Sequence, residues 1–145
     1  MTTIERHVSI HADTARLYDE FATARCLATW LGPAHFKVNQ QFGSVMLTLC
    51  GELDFAVSET RSPINITWKC MTKRHAWTNT SVVIGFADVN DGVLVSLSHS
   101  LWVDEAGLVA ATGEFWRLAL ESLKLCIEGD GGASVTEFPA ELYLP

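Results

Sequence analysis

The apolar positions follow a period of two at the start of the chain. Ile4, Val8 and Ile10 alternate with polar residues, and only Arg6 breaks the phase. Such alternation predicts a β-strand with one buried face, because successive side chains of a strand point to opposite sides. We therefore expect a strand over residues 4–11.

Two short helices are predicted next. Asp13 or Thr14 can cap the first, because a short side-chain oxygen accepts hydrogen bonds from the unpaired N–H groups of the first turn. Apolar residues then recur at helical spacing. The second helix is expected over Ala24–Trp30, and Gly32-Pro33 ends it because proline cannot continue the hydrogen-bond ladder.

The middle of the chain returns to a period of two in about six short segments. Their connections are short, so neighbouring strands should pair antiparallel. Asn90-Asp91-Gly92 predicts a tight hairpin turn, because these residues adopt the positive φ angles that the turn requires. The inward positions are predicted to be Phe36 and Val38; Val45, Leu47 and Leu49; Leu53, Phe55 and Val57; Ile64, Ile66 and Trp68; Val82, Ile84 and Phe86; and Val93, Val95 and Leu97.

A long amphipathic helix is predicted between Glu114 and Glu128. Its charged residues recur at spacings of three and four, which places them on one helical face, and the apolar residues lie on the opposite face. Gly129 ends the helix. The apolar face consists of Trp116, Leu120, Leu123 and Ile127, widened by Phe115, Ala119 and Cys126.

The order of these elements predicts an α+β fold. A sheet with one apolar face needs a cover, and the long helix is the only element large enough to supply it. The sheet should therefore curve around this helix. Such a curved sheet leaves a gap, which the two short helices close at one end, and a gap lined by apolar side chains is a typical small-molecule site.

Several short segments, in their order along the chain, also carry a resemblance to a known superfamily. They are residues 4–13, Ala28-Thr29-Trp30-Leu31-Gly32-Pro33, Gly51-Glu52-Leu53, residues 62–68, Leu97-Ser98-His99-Ser100, and Phe115-Trp116 with Glu128-Gly129. Together they resemble the START/birch-pollen-allergen-like superfamily, also called SRPBCC or helix-grip. The closer resemblance is to its branch related to the ATPase activator of the ninety-kilodalton heat-shock protein.

This resemblance covers residues 4–129 and implies a helix-grip fold. In that fold a curved antiparallel sheet of six or seven strands wraps a long C-terminal helix, and a pocket lies between them. The resemblance leaves the ligand open, since members include ligand carriers, cyclases and co-chaperone domains. Two segments depart from the family pattern: Phe115-Trp116 stands in place of its Gly-Trp, and Phe42-Gly43-Ser44 in place of its glycine-rich turn.

The domain organisation is expected to be simple. Residues 1–132 form the START-like helix-grip domain, and residues 133–145 form an apolar tail. The tail is too apolar to remain in water, so it should pack on its own domain or on a second copy of the chain, which makes a homodimer one expected partner. Its apolar residues are Val135, Phe138, Leu142, Tyr143 and Leu144.

Composition narrows the choice of partners. The 145 residues include 48% hydrophobic and 19% charged residues, with a formal net charge of −7. The charged share is below the usual ~25%, so either the core is large or apolar surface faces a cavity or a partner. We expect no nucleic acid and no anionic membrane as partners, because both require clustered Lys and Arg. The sequence contains no run of ~18 apolar residues, so no membrane-spanning segment is predicted.

The sequence predicts neither a metal nor a cofactor. His7 and His11 lie four residues apart on the first strand, which separates them too far for a shared metal ion. No phosphate loop, dinucleotide fingerprint or nucleophile elbow occurs. The four cysteines, none in a C-x-x-C pair, and the absence of an apolar signal segment favour the reducing cytoplasm.

The predicted pocket takes its lining from the inward positions of the strands and of the long helix. Trp68 is the strongest aromatic candidate, because it lies in the inward phase of its strand. Trp77 lies in a looser segment and is expected to belong to a flap over the pocket mouth. The full predicted lining is Trp30, Phe36, Leu47, Phe55, Ile66, Trp68, Ile84, Phe86, Val95, Leu97, His99, Trp116, Leu120 and Leu123.

His99 and Glu59 are the candidate catalytic residues. His99 continues the inward phase of its strand, where it either acts as a general acid/base or ligand donor, or packs with its nitrogens satisfied by the backbone. Glu59 continues the phase of Phe55 and Val57. If Glu59 is buried, its pKa rises and it becomes a plausible base; if the strand has ended, it is solvated.

Three functions are compatible with these observations. The first is binding of a small apolar molecule, lipid- or polyketide-like, in the gap. The second is a cyclase or aromatase that folds a reactive chain in the same gap, which requires inward polar groups and no metal. The third is a co-chaperone-like module whose acidic surface meets a chaperone partner. The fold alone does not decide among them.

Overall fold

The computed structural model describes residues 2–32, 34–38, 43–48, 52–61, 64–101 and 106–129. The tail over 133–145, expected to pack on the domain or a partner, lies outside these residues. Of the helices that are described, none could cross a lipid bilayer. The elements are β1 (Thr2–Ile10), α1 (Thr14–Ala22), α2 (Ala24–Trp30), β2 (Ala34–Val38), β3 (Gly43–Thr48), β4 (Glu52–Arg61), β5 (Ile64–Cys70), β6 (Ser81–Val89), β7 (Gly92–Leu101) and α3 (Ala106–Glu128).

All seven strands form one antiparallel sheet in the order β1-β7-β6-β5-β4-β3-β2. From β2 to β7 each strand pairs with the next in sequence, because short connections keep neighbours adjacent. The first strand completes the sheet by pairing with β7, which sets Ile4 opposite His99. Every second residue of β7 is buried, as its alternation predicts. The α+β fold class, with a curved sheet and a long C-terminal helix, is confirmed.

Both short helices are capped by side chains. Asp13 precedes α1 and its carboxylate accepts from the Arg16 N–H at 2.8 Å. Thr23 precedes α2 and its hydroxyl accepts from the Cys26 N–H at 3.2 Å. Such caps satisfy donors that the first turn leaves unpaired, which is why these helices begin where they do. The predicted bounds of the second helix, Ala24–Trp30, are the observed ones.

The long helix α3 begins at Ala106, eight residues before the predicted start at Glu114. The added segment carries no charged residue, so it shows no charged face from which the helix could be recognised. Leu108 and Thr112 nevertheless extend its buried side. The backbone of α3 lies closest to β1 and to α2. Ser122 of α3 donates a hydrogen bond to the carbonyl of Trp30 in α2 at 2.8 Å, which links the two helices.

The segment between β5 and β6 is a compact turn, and the expected flap is wrong. The Thr78 hydroxyl lies 2.6 Å from the Thr72 carbonyl oxygen. Arg74 and Asn79 adopt positive φ angles of 59° and 63°, which reverse the chain twice. These turns direct Trp77 into the interior, where its side chain is fully buried.

We expect Gly92→Ala to destabilise the fold. A Cβ atom at Gly92 would overlap the backbone carbonyl oxygen of Ile10, so β1 and the β6–β7 turn would have to separate. Overpacking of this kind costs about 1–3 kcal/mol. Urea unfolding of the variant measures the loss. Asp91→Ala, at the exposed neighbouring position, is the control, and an equal loss in both variants would contradict the steric explanation.

Candidate ligand site

Aromatic side chains fill the concave side of the sheet in two clusters. The first, which we call the His99 cluster, contains His75, Trp77, His99, Phe115 and Trp116. Trp77 stacks on Trp116, with ring centroids 5.6 Å apart and planes inclined by 14°. The edge-to-face contact of Trp77 with His99 has a centroid distance of 4.8 Å. These contacts close the interior between α3 and β7.

Hydrogen bonds occupy both nitrogens of His99. Trp116 donates from Nε1 to His99 Nδ1 at 3.1 Å. Because a neutral imidazole has one donor and one acceptor, His99 carries its proton on Nε2, which lies 2.7 Å from Thr80 Oγ1. The Thr80 hydroxyl donates in turn to the Trp77 carbonyl at 2.6 Å. His99 is thus a packed histidine whose partners are side chains, with no nitrogen facing open space.

Burial keeps the two histidines of this cluster neutral. It lowers the pKa of His99 to about 3, with a further contribution from His75. Burial likewise lowers the pKa of His75 to about 4. The imidazole of His99 is therefore a poor proton acceptor near neutral pH, and its hydrogen bonds serve to hold Trp116 and Thr80.

The second cluster, which we call the Trp68 cluster, lies beneath α1 and contains Phe21, Trp30, Phe55, Trp68 and Phe86. The Phe55 and Phe21 rings lie 5.7 Å and 6.1 Å from that of Trp68. Phe21 also contacts Trp30 at 5.0 Å and Phe86 at 5.7 Å. One phenylalanine of α1 therefore joins α2, β5 and β6 into a single aromatic wall.

Trp68 has a buried indole N–H without a hydrogen-bond partner. The other three tryptophans in the described ranges are satisfied. Trp30 donates to the Glu20 carbonyl, Trp77 to Thr112 Oγ1 and Trp116 to His99 Nδ1, each at 3.1 Å. An unpaired buried donor costs about 1–3 kcal/mol, so natural proteins rarely retain one without a use.

The Trp68 cluster reaches the surface between α1 and the strands. Phe86, Val57 and Tyr18 are only partly buried there. Tyr18 on α1 donates its hydroxyl proton to the carboxylate of Glu59 on β4, which bridges the two elements. Glu59 is exposed, so its strand no longer faces the interior at this point. This bridge is the polar rim of an otherwise apolar cluster.

Comparison with known proteins identifies the architecture. No protein-family model and none of the curated proteins matches the chain. The Aha1 dimer from Colwellia psychrerythraea, a solved structure, matches with a TM-score of 0.73 and 20% identity, over 88% of this chain and 97% of that chain. The chain has the helix-grip fold. At this identity the likeness shows the fold alone, and it confirms the architecture that the sequence resemblance implied.

Two further structures extend the comparison. A protein of Bacillus halodurans matches with a TM-score of 0.71 and 18% identity, over 88% of this chain and 98% of that chain. DynU16, a protein from the dynemicin biosynthetic locus, matches with a TM-score of 0.73 and 15% identity; the match covers 92% of this chain and 50% of that chain. These solved structures thus share the backbone fold of this chain at a low sequence identity.

The residues predicted to line a pocket in this helix-grip domain fall partly within the two clusters and partly in the aliphatic core around them. His99 and Trp116 belong to the closed His99 cluster, and Glu59 lies at the rim of the other cluster, so the two catalytic candidates have different partners. Phe36 and Leu47 lie in β2 and β3, but their side chains are outside the described residues. The buried remainder comprises Trp30, Phe55, Ile66, Trp68, Ile84, Val95, Leu97, Leu120 and Leu123, with Phe86 half-buried.

Glu20, which is not among the residues predicted from the sequence, is a buried acid beside the Trp68 cluster. Its Oε2 atom has no hydrogen-bond partner, and burial raises the pKa of the carboxyl group while a hydrogen bond with the Cys26 side chain lowers it. A signal was present: Leu17, Glu20 and Phe21 have the spacing of one helical face. A carboxylate on the apolar face of a helix, as Glu20 is here, indicates a buried acid.

Two surface depressions lie away from these clusters. One, of about 390 Å³, lies where β1, the β6–β7 turn and α3 meet, and is lined in part by Lys124 and Glu128. The other, of about 230 Å³, lies on the outer face of the sheet beside His7 and Asn65. Of the predicted pocket residues, only Leu97 borders either depression.

Acid should destabilise the protein through its buried histidines. In the unfolded chain His75 and His99 bind protons near pH 6.5, but in the native state only at pKa values of about 4 and about 3. The unfolded state therefore binds more protons in this window, and stability falls as the pH drops below about 6.5. We expect a loss of roughly 2 kcal/mol per pH unit between about pH 6 and 5, measured by urea unfolding.

The variant His99→Gln tests the assignment of this pH dependence. Glutamine retains one acceptor and a donor but does not titrate. The slope of stability against pH should therefore decrease in the variant. An unchanged slope would assign the effect to other groups.

The two tryptophans Trp116 and Trp68 permit a matched comparison of stability. Trp116→Phe leaves the buried His99 Nδ1 without a donor, whereas Trp68→Phe removes an N–H that has no partner. We therefore expect Trp116→Phe to lower the free energy of unfolding by about 1–3 kcal/mol more than Trp68→Phe. Urea unfolding compares the two, and equal losses would contradict this account.

Proposed function

We propose that the protein binds a small hydrophobic molecule, lipid- or polyketide-like, between its sheet and α3, beside Trp68. The observation that carries this proposal is the buried, unpaired Trp68 N–H within an aromatic wall. Ligand sites of this kind are mostly apolar, with a few polar groups that orient the ligand. Trp68 supplies both features in one side chain.

The contacts of α3 support binding at the Trp68 end of the interior. Its backbone lies closest to β1 and α2, so long side chains must bridge the distance from α3 to the strands beyond β7. At the His99 end the rings stack, and hydrogen bonds satisfy both nitrogens of His99 and the indole N–H groups of Trp77 and Trp116. At the Trp68 end Phe21 and Phe55 pack against an indole whose N–H is unpaired. Displacing these two phenylalanine rings breaks no indole hydrogen bond.

The structural neighbours agree with a small-molecule role without specifying the molecule. One of them, DynU16, is described as a protein of the dynemicin biosynthetic locus, and so belongs to a biosynthetic setting. A fold hosts many functions, so the support for binding comes from the residues of the site.

An enzyme of the cyclase or aromatase type is the second candidate, and one contact favours it. Tyr18 and Glu59 form a hydrogen-bonded phenol–carboxylate pair at the rim of the Trp68 cluster. Groups of this kind transfer protons in general acid–base catalysis. This candidate would use the rim pair, since both nitrogens of His99 are occupied.

A protein partner is a further proposal, either a second copy of the chain or a chaperone. Leu118 and Leu125 on the outer side of α3 are 43% and 53% exposed. Light scattering after size-exclusion chromatography measures the oligomeric state.

We also propose a cytoplasmic location, because Cys26, Cys70 and Cys126 are free thiols, which persist in a reducing compartment.

Ligand binding is tested first with the protein as it is purified. Native mass spectrometry should detect a co-purified hydrophobic molecule, or a panel of lipids and aromatic polyketides should raise the melting temperature. A ligand at a hundred times its Kd stabilises by about 2.7 kcal/mol through mass action. A panel that leaves melting unchanged, together with a protein free of bound molecules, would refute the proposal.

A further inference from the structure

We infer that the ligand of the Trp68 cluster is an uncharged molecule with an oxygen acceptor, such as a ketone or ester carbonyl, that accepts a hydrogen bond from Trp68 Nε1. This inference rests on the proposed function and specifies the chemical class of its ligand. Aromatic ketones combine the required acceptor with a flat apolar body.

The need for an acceptor follows from the indole itself. Its N–H is a donor only, so a ligand group must accept the bond. The buried Trp68 N–H has no hydrogen-bond partner in the protein, and a pure hydrocarbon would supply none. A carbonyl oxygen removes this penalty on binding, whereas a hydrocarbon of the same shape does not.

The absence of charge follows from the groups that line the interior. In the described part of the chain the buried polar residues are Glu20, His75, Thr80, His99, Thr112 and Ser122, with no Lys or Arg among them. Burial keeps His75 and His99 neutral, so neither offers a counter-charge to a carboxylate ligand. A buried anion without a counter-charge is strongly disfavoured.

A cationic ligand is also disfavoured. Glu20 is the one buried acid in the described ranges, and burial raises the pKa of its carboxyl group. Its main-chain carbonyl is occupied by Trp30, and its side chain interacts with Cys26. The carboxyl group is thus held at the α1–α2 junction, while the rings adjoining Trp68 belong to Phe21 and Phe55.

The shape of the ligand follows from these neighbouring rings. Phe55 and Trp68 are inclined by 39°, and Phe21 and Trp68 by 57°, at centroid distances of 5.7 Å and 6.1 Å. Aromatic rings favour offset-stacked or edge-to-face partners. A planar aryl group can join this arrangement while its carbonyl meets Nε1.

Four probes of one shape test the inference. Naphthalene, acetonaphthone, naphthoate and naphthylmethylamine share an aromatic body and differ in acceptor and charge. Isothermal titration should show acetonaphthone binding about tenfold more tightly than naphthalene, which corresponds to one hydrogen bond of about 1.4 kcal/mol. Naphthoate and naphthylmethylamine should bind more weakly than acetonaphthone.

Two variants test the role of the indole N–H. Trp68→Phe should reduce the preference for acetonaphthone over naphthalene from about tenfold to about one, because the donor is gone. Phe55→Leu is the matched control: it weakens both probes and retains their ratio, since the N–H remains. In the unmodified protein, acetonaphthone should shift the indole N–H resonance of Trp68 in a nitrogen-15 spectrum, and naphthalene should shift it less. This measurement requires no variant.

The outcomes separate this inference from the proposed function. Equal affinity for acetonaphthone and naphthalene, or a preference that survives Trp68→Phe, overturns the inference and leaves hydrophobic binding intact. Tightest binding of naphthoate or naphthylmethylamine overturns it in the same way, because it reveals a counter-charge. Binding of none of the four probes counts against both, and the ligand panel then decides on hydrophobic binding separately.

Discussion

The structure depends on how a single helix covers a seven-stranded sheet. The backbone of α3 lies closest to β1 at one edge and to α2, and side chains fill the rest of the interior. Four tryptophans and several phenylalanines are buried there beside the aliphatic residues of the strands. Each large ring carries much buried area, which stabilises the domain, but each indole also brings an N–H that must find an acceptor.

The indole N–H groups at the two ends of the interior differ in their hydrogen bonding. At the His99 end, a histidine held in one tautomer links Trp116 to Thr80, and the chain of hydrogen bonds continues to the backbone of Trp77. These hydrogen bonds fix the tautomer of His99, and burial keeps its imidazole neutral. At the Trp68 end the donor remains unpaired, although apolar rings surround it. The two ends therefore differ in whether a buried indole of the strand–helix interior has an acceptor.

Much of the fold could be predicted because the local pattern of polar and apolar residues indicates which side chains are buried. Strand β7 could be predicted from the alternation of its own residues. The bounds of α2 could be predicted because Gly32-Pro33 ends the helix. The start of α3 was missed because Ala106–Gly113 has no charged residue to mark a solvent face. Trp77 was placed in a flap because a segment rich in polar residues gave no sign that two positive φ angles would turn it inward.

The order of strands and helices along the chain and the inward phase of Trp68 were determined by the amino-acid sequence, since each depends on local periodicity. Tertiary structure alone decided which buried groups are satisfied. His99 and Trp68 both occupy inward strand positions, and no local pattern distinguishes them. His99 meets Trp116 and Thr80, whereas the Trp68 N–H meets no acceptor, because hydrogen-bond partners come from elements distant in sequence and only folding brings them together.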